Sequence, residues 1–260
     1  MQYKVSIKRK CYLLSVLLMT VWLTGCVQEE FESTPSPAGN GIRFTLTVPD
    51  VNLPSVSSRT MTGTGTAKKE DEIETVDILV FDMSKTPAVF LEWVSATGVT
   101  QDLADNSTVS FSAVLSPTTA STCIVVVANK ELDNIVSGFT KGATTKVEAM
   151  EKMLHTQTGK WLADGSTTGG YTRIPMYGEK VISKITPSMD PITGINMKRM
   201  LARIDIRNNS ATSNFTVEEV YLANYNTTGY IAPAWNTNGQ VTDPVPDTPV
   251  LPAGSGKMTE

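Results

Sequence analysis

The feature that most limits the fold of this chain is a set of short apolar segments with a two-residue period. Residues 42–48 alternate strictly between apolar and polar, which predicts a half-buried strand with its apolar side chains on one face. Those inward side chains are Ile42, Phe44, Leu46 and Val48. Three more apolar runs predict further strands, at residues 74–82, 109–115 and 123–128. Because Thr, Ser, Val, Gly and Pro are also abundant, the sequence predicts an all-β fold.

One helix is predicted, at residues 145–154. Thr145 and Glu148 have the spacing of a capping box, in which each side chain bonds the backbone N–H of the other residue. The predicted apolar face of this helix consists of Val147, Met150 and Leu154. The remaining segments are an apolar stretch with a turn at 174–179 and two strands at 200–206 and 215–225.

Length and charge narrow the class of protein. The chain has 260 residues, enough for one large β domain or two modest ones. Its formal net charge is −4, but residues 1–25 carry four basic side chains and no acidic one. The rest of the chain therefore has 18 basic and 26 acidic residues, a net charge of −8. Such an acidic chain argues against binding to nucleic acid.

The N-terminus predicts the compartment. Lys8-Arg9-Lys10 precede an apolar run of 13 residues, 11–23, which is too short to span a bilayer and has the length of a secretion signal. Leu23-Thr24-Gly25-Cys26 follows and resembles a bacterial lipobox, in which the cysteine receives a lipid and becomes the first mature residue. We interpret residues 1–25 as a lipoprotein signal peptide and Cys26 as the lipidation site. The alternatives are an ordinary secretion signal and a short membrane anchor.

Two polar segments flank the first predicted strand. Residues 26–40 are interpreted as an acidic tether. The acidic residues within 29–32 resemble the surface-export signal of Bacteroidetes lipoproteins, and a solvated tether without that role is the alternative. Residues 55–69 are rich in Ser, Thr and Gly and contain Arg59, so we expect an exposed loop.

The sequence carries no pattern for catalysis or metal binding. His155 is the single histidine, and we expect it to cap the helix end or to lie at the surface. Cys123 would be the one cysteine left after processing and lipidation, and its apolar run predicts an inert core thiol. Gly254-Ser255-Gly256-Lys257 lacks the spacing of a phosphate loop. We therefore expect no enzyme, no cofactor and no metal.

Two further groups have both a structural and a functional interpretation. Trp93, Trp161 and Trp235 could form a platform for sugars, but buried packing is favoured for each. Glu70-Asp71-Glu72 is interpreted as a solvated acidic face rather than as part of a carboxylate pair for glycoside hydrolysis.

In their order along the chain, these segments resemble the major fimbrial subunit (fimbrillin) family of Bacteroidetes, which builds type V pili. The likeness covers residues 1 to about 230, and the order of the segments carries most of it. The matching pieces are the lipobox, residues 42–48, Arg59, residues 73–82, residues 123–129, Ile174-Pro175-Met176-Tyr177-Gly178-Glu179, residues 198–204 and residues 215–225.

The resemblance, together with the alternating segments, implies a seven-stranded, Greek-key, transthyretin-like β-sandwich with one short helix. We assign this domain to residues 41–210 and the start of a second β domain to residues 211–260. Family members usually continue through a second sandwich to a C-terminal strand used in polymerisation. Because that region is missing or cut short here, the second domain is expected to be incomplete, and the resemblance leaves open whether this chain polymerises.

The resemblance also implies a mechanism of assembly. In the family, an arginine-specific protease cuts an outer-membrane lipoprotein precursor in the loop after the first strand, and that strand leaves with the lipid. A donor strand from another subunit then fills the vacated groove. Arg59 matches the cleavage position, and an exposed loop arginine without a role is the alternative. The displaced side chains would be Ile42, Phe44, Leu46 and Val48.

These inferences predict a structural subunit of a surface fimbria that supports adhesion and polymerises with its own copies by donor-strand exchange. The predicted partners are other pilus subunits, the protease, the outer membrane through the lipid on Cys26, and a host surface or other bacteria. The predicted location is the surface of the outer membrane and the fimbrium. The alternatives are an anchor or tip subunit of the same pilus and a surface glycan-binding lipoprotein.

Overall fold

The structure, a computed structural model, describes residues 42–48, 71–101, 108–157, 173–201, 217–221, 223–242, 250–254 and 256–258. None of the helices in these ranges is both long enough and apolar enough to cross a membrane. The helices are α1 (Asp133–Val136) and α2 (Lys146–Lys152). The strands are β1 (Ile42–Thr47), β2 (Val76–Asp82), β3 (Val89–Ser95), β4 (Thr97–Gln101), β5 (Thr108–Ala113), β6 (Thr122–Ala128), β7 (Leu154–Thr156), β8 (Met176–Ile182), β9 (Ile192–Asn196), β10 (Lys198–Arg199), β11 (Tyr225–Asn226), β12 (Thr228–Tyr230) and β13 (Lys257–Met258).

Two sheets form a β-sandwich. Sheet A has the strand order β4-β5-β1-β9, and sheet B has the order β10-β8-β6-β2-β3. Neighbouring strands are antiparallel except β1 and β9, which are parallel. The predicted all-β sandwich is therefore confirmed. Within the described ranges the two sheets hold nine strands, where seven were expected.

Sheet B is covered on both faces, which explains its continuous apolar runs. Along β2, Ile78 and Val80 point into the core between the two sheets, which we call the inner core. Leu79 and Phe81 point to the opposite face, into a second core beneath the helices, which we call the outer core. β6 is buried at every position for the same reason. A strand with two covered faces needs an apolar side chain at every position, so it shows a run and not an alternation.

The capping box at the start of α2 is confirmed. The Thr145 hydroxyl accepts a bond from the Glu148 backbone N–H at 3.2 Å, and the Glu148 carboxylate accepts one from the Thr145 N–H at 2.8 Å. The buried face, however, differs from the predicted one, because the helix ends at Lys152 and Leu154 belongs to β7. The buried residues of the helix are Lys146, Ala149 and Met150.

The apolar stretch at 174–179 contains no turn at its glycine, because β8 runs through it. Met176 enters the inner core, and Tyr177 enters the outer core. Gly178 faces the crossing from sheet A to sheet B, where a Cβ atom would lie 2.7 Å from Met197 Sδ and 2.8 Å from Ile195 Cγ2. Glycine is therefore required at this position, because the end of β9 and the residue after it, Met197, approach too closely for a side chain.

The predicted strand at 215–225 is wrong for residues 217–221, whereas Tyr225 at its end begins β11. Residues 217–221 form no strand, and Val217 and Val220 are 49% and 56% exposed. An alternating pattern alone does not supply a partner strand, and no described strand pairs with residues 217–221. Of the predicted strand at 200–206, Met200 and Leu201 are described and lie outside strands. Its other residues lie outside the described ranges.

Residues near the C-terminus contribute to the outer core. β12 pairs with β7 in an antiparallel ladder, and Ile231 and Ala232 then pack into the outer core over sheet B. The predicted division of the chain at residue 210 stays a prediction, because residues 202–216 lie outside the described ranges.

Candidate functional site

β1 lies in the interior of sheet A, with a strand hydrogen-bonded along each of its edges. On one side it pairs antiparallel with β5, from Ile42 opposite Ala113 to Thr47 opposite Thr108. On the other side it runs parallel to β9. Removal of β1 would therefore open two rows of backbone donors and acceptors at once, and another strand could pair with both.

The inward side chains of β1 are buried as the alternation predicts. Their exposed fractions are 5% for Ile42, 1% for Phe44, 0% for Leu46 and 1% for Val48. Each such burial stabilises the fold by about 1.5–3 kcal/mol, so the four together contribute at most about 6–12 kcal/mol. The departure of β1 would leave a groove between β5 and β9. Apolar surface would then be exposed both on the released strand and in this groove.

One aromatic contact dominates the centre of the groove. Phe44 lies directly opposite Phe111 of β5, with the ring centroids 5.0 Å apart and the ring planes 7° apart. Phe111 is 3% exposed and belongs to the inner core. The two rings are therefore stacked inside the sandwich, and each covers a face of the other.

The β9 side of the groove carries an irregularity. Phe44 is opposite Ile192, whereas Leu46 is opposite Ile195, so β9 has one more residue than β1 between the two pairs. Gly194 lies within this bulge at φ 71°, a left-handed conformation that glycine adopts without steric cost. The bulge fixes where along β9 a neighbouring strand can pair regularly.

Residues 71–74, directly before β2, are held by ion pairs. Asp71 pairs with Arg199, and Arg173 pairs with Glu72 at 3.1 Å and with Glu74 at 2.8 Å. The interpretation of the acidic run as a solvated face is therefore wrong for Asp71, whose side chain is 14% exposed beside Arg199, whereas the Glu72 side chain is 39% exposed in its pair with Arg173. No periodic pattern in the sequence predicts that Arg173 and Arg199 pair with these acidic residues.

Asn129, at the end of β6, holds the same segment by its side chain. Its Oδ1 accepts from the Glu74 N–H at 3.0 Å. Its Nδ2 donates to the carbonyls of Glu72 at 2.8 Å and Ile174 at 3.0 Å. The residue has φ 58°, a conformation that asparagine tolerates better than most residues. A cut between residues 49 and 70 would therefore leave β2 anchored.

The two predicted modification sites, Cys26 and Arg59, lie outside the described residues. Their roles as lipidation site and cleavage site stay predictions. Arg43 lies inside β1, and its backbone is opposite Ser112 of β5.

The remaining reactive side chains are placed in structural roles. Cys123 is fully buried in β6, and burial raises the pKa of its thiol to about 11, which suits the predicted inert thiol.

His155 lies in β7 and not at the helix end, so the predicted capping role is wrong. It is half-buried, its Nε2 lies 3.2 Å from Gln157 Oε1, and burial lowers its pKa. Among the described residues, no three His, Cys, Asp or Glu side chains converge to hold a metal ion.

The described tryptophans pack as expected. Trp93 is half-buried against the outer core, and Trp235 meets Tyr230 edge to face with centroids 4.9 Å apart. The two therefore serve packing. Trp161 lies outside the described residues.

A buried ion pair on the outer face of sheet B was not predicted. Lys146 Nζ lies 2.6 Å from Glu179 Oε2, and the lysine side chain is 0% exposed. The Tyr177 hydroxyl donates to the same carboxylate at 2.6 Å, and the Val241 N–H donates to its Oε1 at 3.1 Å. Burial, followed by the Glu179 charge, raises the pKa of Tyr177 well above its usual value. The cluster ties α2, β8 and the residues before 242 together. The sequence gives one indication of this cluster, which is that Glu179 directly follows the apolar segment 174–178.

The chain was compared with known proteins by sequence and by structure. No functionally curated protein shows a significant match to the chain. Among solved structures, a fimbrial assembly protein from Parabacteroides distasonis is similar with a TM-score of 0.42 and 10% identity, over 81% of this chain and 72% of that one. A second structure, a putative cell adhesion protein from the same species, has a TM-score of 0.40 and 18% identity, over 74% of this chain and 57% of that one.

The family assignment comes from the sequence of the sandwich itself. Residues 42–199 match the family described as major fimbrial subunit protein (FimA). The match begins at the first residue of β1 and ends at the last residue of β10, so it spans both sheets. It covers more than half of the 260 residues. The chain therefore belongs to the major fimbrial subunit family.

Proposed function

We propose that this chain is a structural subunit of a surface fimbria that supports adhesion, and that it is not an enzyme. It is exported as an outer-membrane lipoprotein precursor with lipid on Cys26, cut by an arginine-specific protease after Arg59, and assembled with its own copies by donor-strand exchange. Residues 1–25 are the signal, residues 26–40 the tether, residues 41–210 the sandwich domain, and residues 211–260 belong to a second β domain.

The observation that carries this proposal is the position of β1. The strand nearest the N-terminus in the described ranges lies between β5 and β9, with both edges paired and its inward side chains buried. An edge strand could leave without opening a groove. An interior strand leaves a groove with two unpaired strand edges and an apolar surface between them. A strand from another molecule can fill this groove by β-augmentation.

The same geometry supports Arg59 over Arg43 as the cleavage site. A protease binds its substrate as an extended, locally unfolded segment. Arg43 is in a strand paired on both sides, and a cut there would leave Phe44 and Leu46 in the groove. A cut after Arg59 would release the whole of β1 while the contacts of Asp71 and Asn129 keep β2 in place.

The test is N-terminal sequencing of assembled fibres from the wild-type chain and from two matched variants, Arg59→Lys and Arg43→Lys. Lysine keeps the charge but is not a substrate for an arginine-specific protease. We expect fibres that begin at Thr60 from the wild type and from Arg43→Lys, and no fibres from Arg59→Lys. Normal assembly by Arg59→Lys, or a mature N-terminus other than Thr60, would contradict the proposal.

Mass analysis of the mature N-terminus separates the stalk role from the alternative role of an anchor subunit. Loss of the lipid-bearing peptide marks a polymerising subunit. Retention of the lipid on Cys26 together with β1 in the assembled pilus marks an anchor, and it would replace the proposed role.

A further inference from the structure

We propose that the strand which takes the place of β1 carries an aromatic side chain at the position of Phe44, where it stacks on Phe111. This inference rests on the proposed function and specifies the chemistry of the partner strand. It assigns Phe111 as the residue of the groove that selects the partner and sets its register.

The first step is the difference between Phe44 and the other inward residues of β1. Ile42, Leu46 and Val48 are aliphatic, and apart from Phe44 and Phe111 the described side chains of the inner core are aliphatic or methionine, which many strands could satisfy. Phe44 instead stacks on Phe111 with the ring planes 7° apart. The described part of the inner core contains no aromatic side chain besides these two. Phe81, Phe90 and Tyr177 belong to the outer core.

The second step is what the loss of β1 does to Phe111. The ring lies on β5, directly opposite Phe44, and it is 3% exposed while β1 is present. When β1 leaves, the face of Phe111 that Phe44 covers is opened. A planar ring restores the stacked contact, whereas an aliphatic side chain leaves part of that face without close neighbours. The groove therefore discriminates between partner strands at this one position.

The third step is the register. β9 has one extra residue between the pair Phe44–Ile192 and the pair Leu46–Ile195. A new strand in the same direction meets this bulge at the same place, so its regular pairing with β9 is fixed relative to Ile192. The aromatic residue must then occupy the second of the four inward positions. A strand displaced by two residues would direct its ring into the space of Ile42 or Leu46, away from Phe111.

The experiment uses the full chain with a recognition site for a sequence-specific protease in place of residues 56–62. The folded chain is cut there, and labelled peptides of residues 41–49 compete for the position of β1. One peptide has the native sequence. The other carries Phe44→Leu together with Leu46→Phe, so the two have the same composition, length, charge and apolar content and differ only in where the ring lies.

We expect the native peptide to replace β1 and the exchanged peptide to bind about tenfold more weakly or worse, because the stack is lost and a ring is forced into a smaller space. In an acceptor with Phe111→Leu, the preference should fall to about twofold or less. Equal binding of the two peptides to the wild-type acceptor would overturn the inference. Failure of the native peptide to enter the cut chain would instead contradict the proposed function. The wild-type acceptor decides the question even where the Phe111→Leu chain does not fold.

Discussion

Single residues in β8 show how one short strand joins two cores. Met176 and Tyr177 face opposite cores, Gly178 makes room for the chain crossing between the sheets, and Glu179 neutralises a buried lysine. Each of these positions has a different neighbour and a different physical requirement. A substitution in this strand should therefore have an effect that depends on which neighbour it disturbs.

Replacing Gly178 with alanine should lower the free energy of unfolding by about 1–3 kcal/mol, the usual cost of forcing extra atoms into a packed site. The new Cβ would lie 2.8 Å from Ile195 Cγ2 and 3.2 Å from the Asn196 carbonyl oxygen, and the backbone cannot easily retreat. Urea denaturation measures the change. Gly138→Ala is the control, because its Cβ would meet its nearest neighbour, the Ile135 oxygen, at 3.6 Å. Equal stability of the two variants would show that the crossing is not tightly packed.

Replacing Glu179 with glutamine should destabilise the fold by about 3 kcal/mol, because a lysine with no exposed side-chain surface loses its counter-charge. Lys146→Met should cost less, since Glu179 keeps 19% exposure and the donors on Tyr177 and Val241. Denaturation midpoints and a double-mutant cycle measure both effects. Glu151→Gln, at an exposed position of the same helix, should change the free energy by less than about 0.5 kcal/mol. A larger loss in Lys146→Met than in Glu179→Gln would refute this reasoning.

At the scale of elements, α2 depends on its first turn because it has only seven residues. Thr145→Ala removes the hydroxyl that accepts the Glu148 N–H and should cost about 1 kcal/mol. Thr145→Ser retains an acceptor and should stay near the wild type. Thermal denaturation followed by circular dichroism compares the two variants. Similar loss of stability in both would point to the methyl group of Thr145, which both variants lack, and not to the cap.

The sequence predicts those elements whose signal is local. β1 alternates, β2 and β6 are apolar runs, and α2 begins at a capping box. β3, β4 and β9 were missed, because their burial is irregular and is set by distant partners. β8 was interpreted as containing a turn, since a glycine in a strand can be explained only by the neighbour that approaches it.

The candidate site was predictable in part for the same reason. The pattern of residues 42–48 gives the face that β1 buries. It does not give the two neighbouring strands, the stack on Phe111 or the bulge at Gly194. Those depend on the pairing of β5 and β9 with β1, and pairing across 60 or more intervening residues leaves no periodic trace in either segment.

At the scale of the whole molecule, the proposed assembly requires a sandwich that is stable with β1 in place and that releases β1 when a partner strand competes. A disulfide between β1 and β5 tests this directly. Thr45 lies opposite Ser110, and both residues are on the face of sheet A that points away from the inner core. Directly opposed residues of antiparallel strands have Cα atoms about 4.5–5.5 Å apart, which suits a disulfide.

The chain with Thr45→Cys and Ser110→Cys should fold in both redox states, because the substituted side chains are small and lie outside the inner core. After cleavage at a protease site placed at residues 56–62, the oxidised form of this chain should retain β1 and take up no labelled peptide of residues 41–49. Reduction should restore uptake, since it removes the covalent link and leaves the fold unchanged. The single variants Thr45→Cys and Ser110→Cys should take up the peptide in either redox state. Uptake by the oxidised double variant at the wild-type rate would mean that the peptide binds elsewhere, and that the groove between β5 and β9 is not where a second strand enters.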